Sequence, residues 1–348
     1  MKKLNRIIES YPPELKLLLV FCGSERWEAE KLIPEVKWDI FLAWIKRHRV
    51  TPAVYRYIKK NQAVVPEEVA KTIEQRFEKI TKRNLLLAGE VIQICNALEN
   101  IGINAIPIKG VVLSWQLYGN LNERETRDID ILITPGNVNK VIPFLTKSGY
   151  SLYEIKHKKE FLENGKIALR DYPISLKNDT KNVIIELHWQ LLPWKGLCSK
   201  LFNEMWDTKK HVLFQGAFID SIDLLRHMEF NVYHGTKHFW SGLQWVMDIK
   251  YWQSTEIKPT DILAFENVNC YENSHTLIDL LFKKSDNKVS VSDKWLNIFV
   301  SSISTMDESV FKSLYYKLKN IRLAFWLNLK NRGFWKVYLK YFWLKLFC

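Results

Sequence analysis

Ile106-Pro107-Ile108-Lys109-Gly110, an apolar run to Tyr118-Gly119-Asn120, and Arg124-Glu125-Thr126-Arg127-Asp128-Ile129-Asp130-Ile131-Leu132-Ile133 form the stretch that decides the reading of this chain. Its last part has the composition of a buried strand. Side chains alternate faces along a strand, so Asp128 and Asp130 share one face while Ile129 and Ile131 take the other. Two carboxylates on one small patch raise each other's pKa unless positive charge lies between them. Magnesium suits such a patch, because it takes one or two carboxylates together with waters and phosphate oxygens. On spacing alone a second reading stays equally open, in which the two aspartates are solvated on an edge strand and paired with Arg124 and Arg127.

The residues upstream favour the first reading. Ala105 to Ile108 reads as a short strand, Lys109-Gly110 as a tight turn, and Val111 to Leu117 as a helix that Gly119-Asn120 closes. A glycine turn that opens a helix points backbone N–H groups outward at the positive end of the helix dipole, where anions are favoured. Lys109 adds a charge at that point. A phosphate cradle followed by a metal-binding pair is what phosphoryl or nucleotidyl transfer requires, since that chemistry is mostly positioning and charge neutralisation.

On these residues the chain resembles the nucleotidyltransferases of the DNA polymerase β superfamily. Lys109-Gly110, Tyr118-Gly119, Arg124, Arg127-Asp128-Ile129-Asp130 and Ser148-Gly149-Tyr150 are similar to the branch called uncharacterised nucleotidyltransferases, over roughly residues 85 to 189. The chain departs from the superfamily in carrying Lys109-Gly110 where most members have Gly-Ser. The resemblance implies a third carboxylate on a later strand. Asn182 to Trp189 supplies it: Val183, Ile185 and Leu187 form one face, Glu186 and His188 the other. In the family's terms Asp128, Asp130 and Glu186 are the catalytic and metal-holding residues. Lys109, Gly110, Arg124, Arg127 and His188 would contact the nucleotide, with Arg124 the more family-like of the two arginines. Two Mg2+ ions and an NTP, ATP foremost, are the implied cofactor and co-substrate.

Around this centre the chain reads as an α+β protein, with a small mixed β-sheet core flanked by N-terminal and C-terminal helical regions. The expected divisions are residues 1–84, 85–192 and 193–348. Helices are expected over Glu14–Phe21, Trp38–His48 and Pro52–Lys60, with His48 a helix-end residue. Pro66-Glu67-Glu68 opens a long helix whose apolar period runs from Val69 to Leu98 and which Gly102 stops. Thr134-Pro135-Gly136 caps a helix that ends at Ser148-Gly149. Asn164-Gly165 and Asn178-Asp179 suggest hairpins that lead to the Glu186 strand. Beyond Pro193 the chain reads as helical again, with Ser221-Ile222-Asp223 as a helix start.

Composition sets the remaining bounds. The 348 residues carry 51 Lys and Arg against 38 Asp and Glu, a net charge of +13, and 47% hydrophobic residues. That composition predicts a chain folded throughout. Five scattered cysteines without C-x-x-C spacing signal neither a zinc knuckle nor a disulfide framework, and suit a reducing cytoplasm. No transmembrane span and no export signal is read. Residues 309–348 hold nine Lys or Arg, no Asp or Glu and many aromatics. This segment is read either as a polyanion- or membrane-surface contact or as a helix pair that buries its aromatics and shows its lysines to solvent. His234, His238 and Asp248 have a spacing that admits zinc, although Gly235 interrupts the helix and no Glu stands beside His234. A pocket wall or plain packing accounts for them as well.

Two functional classes follow. The leading expectation is an enzyme that moves a nucleoside monophosphate from an NTP to a hydroxyl or phosphate of an unidentified acceptor, be it a small molecule, a peptide or protein, or RNA. The rival is a catalytically weak binding protein of the same fold that holds RNA, an anionic membrane surface or a protein partner.

Overall fold

The computed structural model describes residues 2–61, 65–153, 173–191, 199–255, 265, 268–283, 293–307, 309 and 310. In chain order its helices are α1 (Lys2–Glu9), α2 (Pro13–Phe21), α3 (Ala29–Leu32), α4 (Trp38–His48), α5 (Thr51–Asn61) and α6 (Glu67–Glu99). They continue with α7 (Gly110–Tyr118), α8 (Val138–Lys147), α9 (Ser199–Asp207), α10 (Leu224–Lys237), α11 (Leu243–Gln253), α12 (Val268–Phe282) and α13 (Asp293–Ile303). The strands are β1 (Ala105–Ile108), β2 (Ile129–Ile133), β3 (Ser151–Tyr153), β4 (Ile174–Asn178), β5 (Val183–His188), β6 (Lys210–Phe214) and β7 (Ala217–Ser221). The class is mixed α+β, as the sequence leads one to expect. No helix among the described residues is long and apolar enough to cross a membrane.

These residues gather into two units, each assembled from separated segments. The first holds the described residues of 1–82, 122–125 and 228–320, and the second those of 83–121 and 126–227. The first unit is helical. Helix α2 is buried along Leu15, Leu17, Leu18 and Leu19. Tyr11 donates its hydroxyl to the Val300 carbonyl at 2.6 Å, and Ser24 donates to the Leu281 carbonyl at 2.7 Å, tying the first helices to α12 and α13. Helix α4 ends at His48, which is buried and stacks on Trp44 at 5.4 Å.

The second unit is organised on a five-stranded sheet of order β1-β2-β5-β4-β3, in which β2 and β5 run parallel and the other neighbours antiparallel. Pro107 fits β1 because this edge strand has one ladder partner, β2, and an edge tolerates a residue without an N–H. The two-residue period predicted for β2 and β5 is realised. Ile129, Ile131 and Ile133, with Val183, Ile185 and Leu187, enter one core with Leu87, Val91 and Leu98 of α6 and with Val141, Ile142 and Leu145 of α8. Each such side chain contributes about 1.5–3 kcal/mol on burial. This core commits one face of the sheet, and the alternate residues Asp130, Glu186 and His188 fall on the other. A slip of one residue in either strand would exchange the two sets, so the core fixes the register of the acids.

One element departs from the sequence reading. Residues 210–221, expected to be helical, form the hairpin β6–β7, whose turn residues Gln215 (φ 49°) and Gly216 (φ 85°) both adopt positive φ. A two-residue turn of this kind matches the twist of the flanking strands. Phe214 and Ile219 send the hairpin's inner face into the same core. The Asn178-Asp179 hairpin joins β4 to β5 as expected. The Asn164-Gly165 turn lies outside the described residues, as does nearly all of the basic aromatic segment after Ser309.

Candidate active site

Strand β2 places Asp130 and strand β5 places Glu186, and the parallel ladder sets these two residues directly opposite each other. His188 follows two residues along β5 on the same face. Its Nε2 lies 2.9 Å from Asp130 Oδ1 and 3.6 Å from Glu186 Oε2. Lys109 closes the cluster from the turn after β1, with Nζ 2.5 Å from Asp130 Oδ1. Asp130, Glu186 and His188 each offer one ligand atom, and those atoms all lie within 4.8 Å of one another. Asp128 precedes β2, half-buried and outside that group of three, but it lines the same small cleft as Lys109, Gly110 and Asp130.

The electrostatics follow from burial. Burial opposes the Asp130 carboxylate, yet the Lys109 charge and the His188 hydrogen bond outweigh it and hold its pKa well below the usual carboxylate range. Burial likewise opposes the Lys109 ammonium, and the carboxylates of Asp130, Glu186 and Asp128 together raise its pKa above the ordinary lysine value. For His188, burial is again the largest single influence and lowers the pKa. The hydrogen bonds to Asp130 and Glu186 and the Asp130 charge reverse it, so the imidazole is more basic than usual. Three acidic groups thus act on one ammonium.

The turn that carries Lys109 has a demanding backbone. Lys109 adopts φ 58° and ψ −149°, a region that is nearly glycine-only and costs of order 1–3 kcal/mol for other residues. Gly110 follows at φ 48°, and a Cβ there would come within 3.1 Å of Thr126 Cγ2. The Lys109 carbonyl accepts the first helical bond of α7 from Leu113 N–H at 2.9 Å, and Gly119 at φ 67° closes the helix. Strand, turn, helix and stop therefore occur where the sequence places them.

The arginines behave differently. Arg124 is buried, and its Nε donates to both carboxylate oxygens of Asp248 at 3.0 and 2.9 Å within the first unit. Asn231 also donates to Asp248, at 3.4 Å. Arg127 is exposed, and its carbonyl accepts from Arg83 at 2.9 Å. His234 and His238 do not join Asp248 around a common point. Their rings lie 4.6 Å apart, His238 stacks on Trp245 at 5.2 Å, and His234 meets Trp245 edge-on. Gly235 between them is explained by packing, since a Cβ there would fall 2.6 Å from the Trp240 ring. Among the described residues the clustering that suits a metal is that of Asp130, Glu186 and His188.

Two participants are not signalled by any motif. Gln116 and His227 form a hydrogen-bonded chain that reaches the backbone of Lys109. The sequence marks His227 only as the fourth residue after the α10 cap, where the Asp223 carboxylate accepts from Arg226 N–H at 3.1 Å.

A fold of this kind, with an acid pair from two parallel strands beside a lysine-glycine turn, is that of a nucleotidyltransferase core. The chain belongs to the uncharacterised nucleotidyltransferase family, whose profile matches residues 34–264, a span that holds every residue of the cluster. Among solved structures it is similar to the crystal structure of an antigenic nucleotidyltransferase-like protein from Paracoccidioides brasiliensis. That likeness has 10% identity over 68% of this chain and 92% of that one, with a TM-score of 0.34. No curated protein matches the chain.

Proposed function

We propose that the chain is a metal-dependent nucleotidyltransferase that moves a nucleoside monophosphate from an NTP, ATP foremost, to a hydroxyl or phosphate of an acceptor. The observation that carries this reading is the convergence of Asp130, Glu186 and His188 within 4.8 Å beside the Lys109 ammonium. Ligands around one small divalent ion stand about 3–4.2 Å apart when their bonds to it are about 2.1 Å, so the three donors, all within 4.8 Å of one another, would close on a single ion through small side-chain shifts. Asp128, at the cleft with Asp130, would share a second. Imidazole among the donors extends the acceptable cations from Mg2+ to Mn2+ and Zn2+. When bound, a divalent cation supplies the charge that lets a triphosphate lie beside three carboxylates, and it lowers the pKa of an acceptor hydroxyl.

The chain's own residues then divide the work. Lys109 offers its ammonium to triphosphate oxygens, and the Gly110 turn offers N–H groups at the start of α7. Glu186, the least buried of the three clustered donors, takes the acceptor's proton. The acceptor oxygen forms its bond to the α-phosphorus, the bond from that phosphorus to the bridging oxygen breaks, and pyrophosphate leaves with the electron pair. Arg127, exposed and adjacent in sequence to Asp128, would offset charge on the leaving group, and Arg124 is held by Asp248.

The test is incubation of the purified protein with Mg2+ or Mn2+, a cell extract and NTPs labelled at either the α or the γ phosphate. Transfer of the α label alone, with release of pyrophosphate and loss in Asp130→Asn, is the expected result. Transfer of the γ label, or labelling that persists in Asp130→Asn, would overturn the assignment.

A further inference from the structure

Lys109 holds a backbone conformation that disfavours every residue except glycine, and the second unit contains a built device that secures it. The device begins at the Ile222 carbonyl, which can only accept. Gln116 must therefore turn its amide nitrogen that way, and Nε2 donates to Ile222 O and Ser221 Oγ, both at 2.8 Å. The amide oxygen of Gln116 is then left facing His227 Nδ1 at 2.7 Å. An amide oxygen only accepts, so Nδ1 carries the imidazole proton and Nε2 presents its lone pair. That lone pair accepts the Lys109 backbone N–H at 2.6 Å. With the Lys109 carbonyl held by Leu113 N–H, both polar ends of the strained residue are fixed, and its side chain leaves toward Asp130.

We propose that His227, in the tautomer set by Gln116, is a positioning residue that locks the Lys109 backbone and thereby aims its ammonium at Asp130 and at the triphosphate. His227 is fully buried on the first turn of α10 and touches none of the three clustered donors in this chain of bonds, so it acts through Lys109. The inference rests on the nucleotidyltransferase reading for what Lys109 is aimed at, while the hydrogen-bond chain itself stands on the geometry.

Two measurements decide it. Long-range 1H–15N correlation of the histidine rings in the full chain should show His227 protonated at Nδ1 and bare at Nε2. The opposite tautomer, or a ring protonated at both nitrogens at neutral pH, overturns the proposal whatever the protein binds. Calorimetric titration with Mn2+ and ATP should then show His227→Phe, which removes the acceptor, weakening binding about fivefold to tenfold. His227→Gln, whose side-chain oxygen reaches the Nε2 position, should recover most of that loss, and in a Lys109→Met background His227→Phe should add nothing further. Equal weakening by Phe and Gln, or a Phe effect that persists without Lys109, marks His227 as a packing residue and overturns the proposal. If the wild type binds no Mn2+ and ATP at all, the functional reading fails and takes the nucleotide-aiming role with it. If the wild type binds and His227→Phe binds equally, the positioning role alone fails.

Discussion

Arg124 and Asp248 meet at 2.9–3.0 Å with side chains 4% and 1% exposed, and Lys109 and Asp130 meet at 2.5 Å with side chains 12% and 4% exposed. Both are buried ion pairs, yet they do different things. In the first unit one guanidinium faces one carboxylate through both oxygens, with Asn231 in support. In the second unit three carboxylates act on one ammonium, and an imidazole stands among them. A charge balanced within its own pair holds structure. Three carboxylates gathered around an ammonium and a titratable imidazole form a group that a divalent cation can enter by displacing the imidazole proton, and that composition rather than burial distinguishes the site.

The largest expected effect breaks the closed pair. Asp248→Ala would leave the Arg124 guanidinium buried without its carboxylate, and stability should fall by about 3–5 kcal/mol in a denaturant titration. Asp130→Asn should lose less than half of that while abolishing Mn2+-dependent ATP binding. If the two substitutions cost the same stability, both pairs are structural and the Lys109–Asp130 pair has no separate role.

Next comes Gly110→Ala. It forces a side chain into a positive-φ position and brings a Cβ to 3.1 Å from Thr126 Cγ2, so a stability loss of about 1–3 kcal/mol is expected, with weaker ATP binding. An Ala variant as stable as the wild type would show that the turn tolerates another geometry. At the small end, His238→Ala should cost only about 0.5–1.5 kcal/mol through its lost stacking on Trp245, and metal analysis should show no zinc lost with it.

The comparison also predicts a pH dependence that only the second region carries. His188 binds its proton more tightly than an ordinary histidine, and a metal ligand must be the neutral imidazole. Mn2+ affinity should therefore be low below the raised His188 pKa, increase as pH climbs through it, and level off above. Asp130 is held well below the usual carboxylate range and stays ionised there, so a His188→Gln variant should lose the slope. A slope unchanged in that variant would move the titrating group elsewhere.

Much of the second unit was legible because its signals are local. The period-2 alternation of Ile129 to Ile133 and of Val183 to His188, the Lys109-Gly110 turn and the Gly119 stop each depend on a few adjacent residues. Hairpin β6–β7 was not legible: Lys210-His211-Val212-Leu213-Phe214 lacks a clean alternation, and its Gln215-Gly216 turn is a weaker signal than Asn-Gly. Leu213 and Phe218, paired across the hairpin, are both more than half exposed, which blurs the pattern further. The partners of Arg124 and Lys109 were hidden for another reason. Asp248 is 124 residues from Arg124, and His227 is 118 from Lys109, so only the assembled chain brings them together. His234 and His238 show the converse, since a spacing compatible with ligands is filled by the Trp245 ring.

The central claim is that Asp130, Glu186 and His188 together hold a divalent cation that carries a nucleoside triphosphate. Calorimetric titration of ATP into the protein, with Mn2+ present and then chelated, tests it most directly on the wild type, Asp130→Asn and Glu186→Gln. The account predicts binding by the wild type that vanishes with chelation and is lost in both variants while each remains folded. ATP binding that survives chelation, or that both variants retain at wild-type affinity, would contradict it.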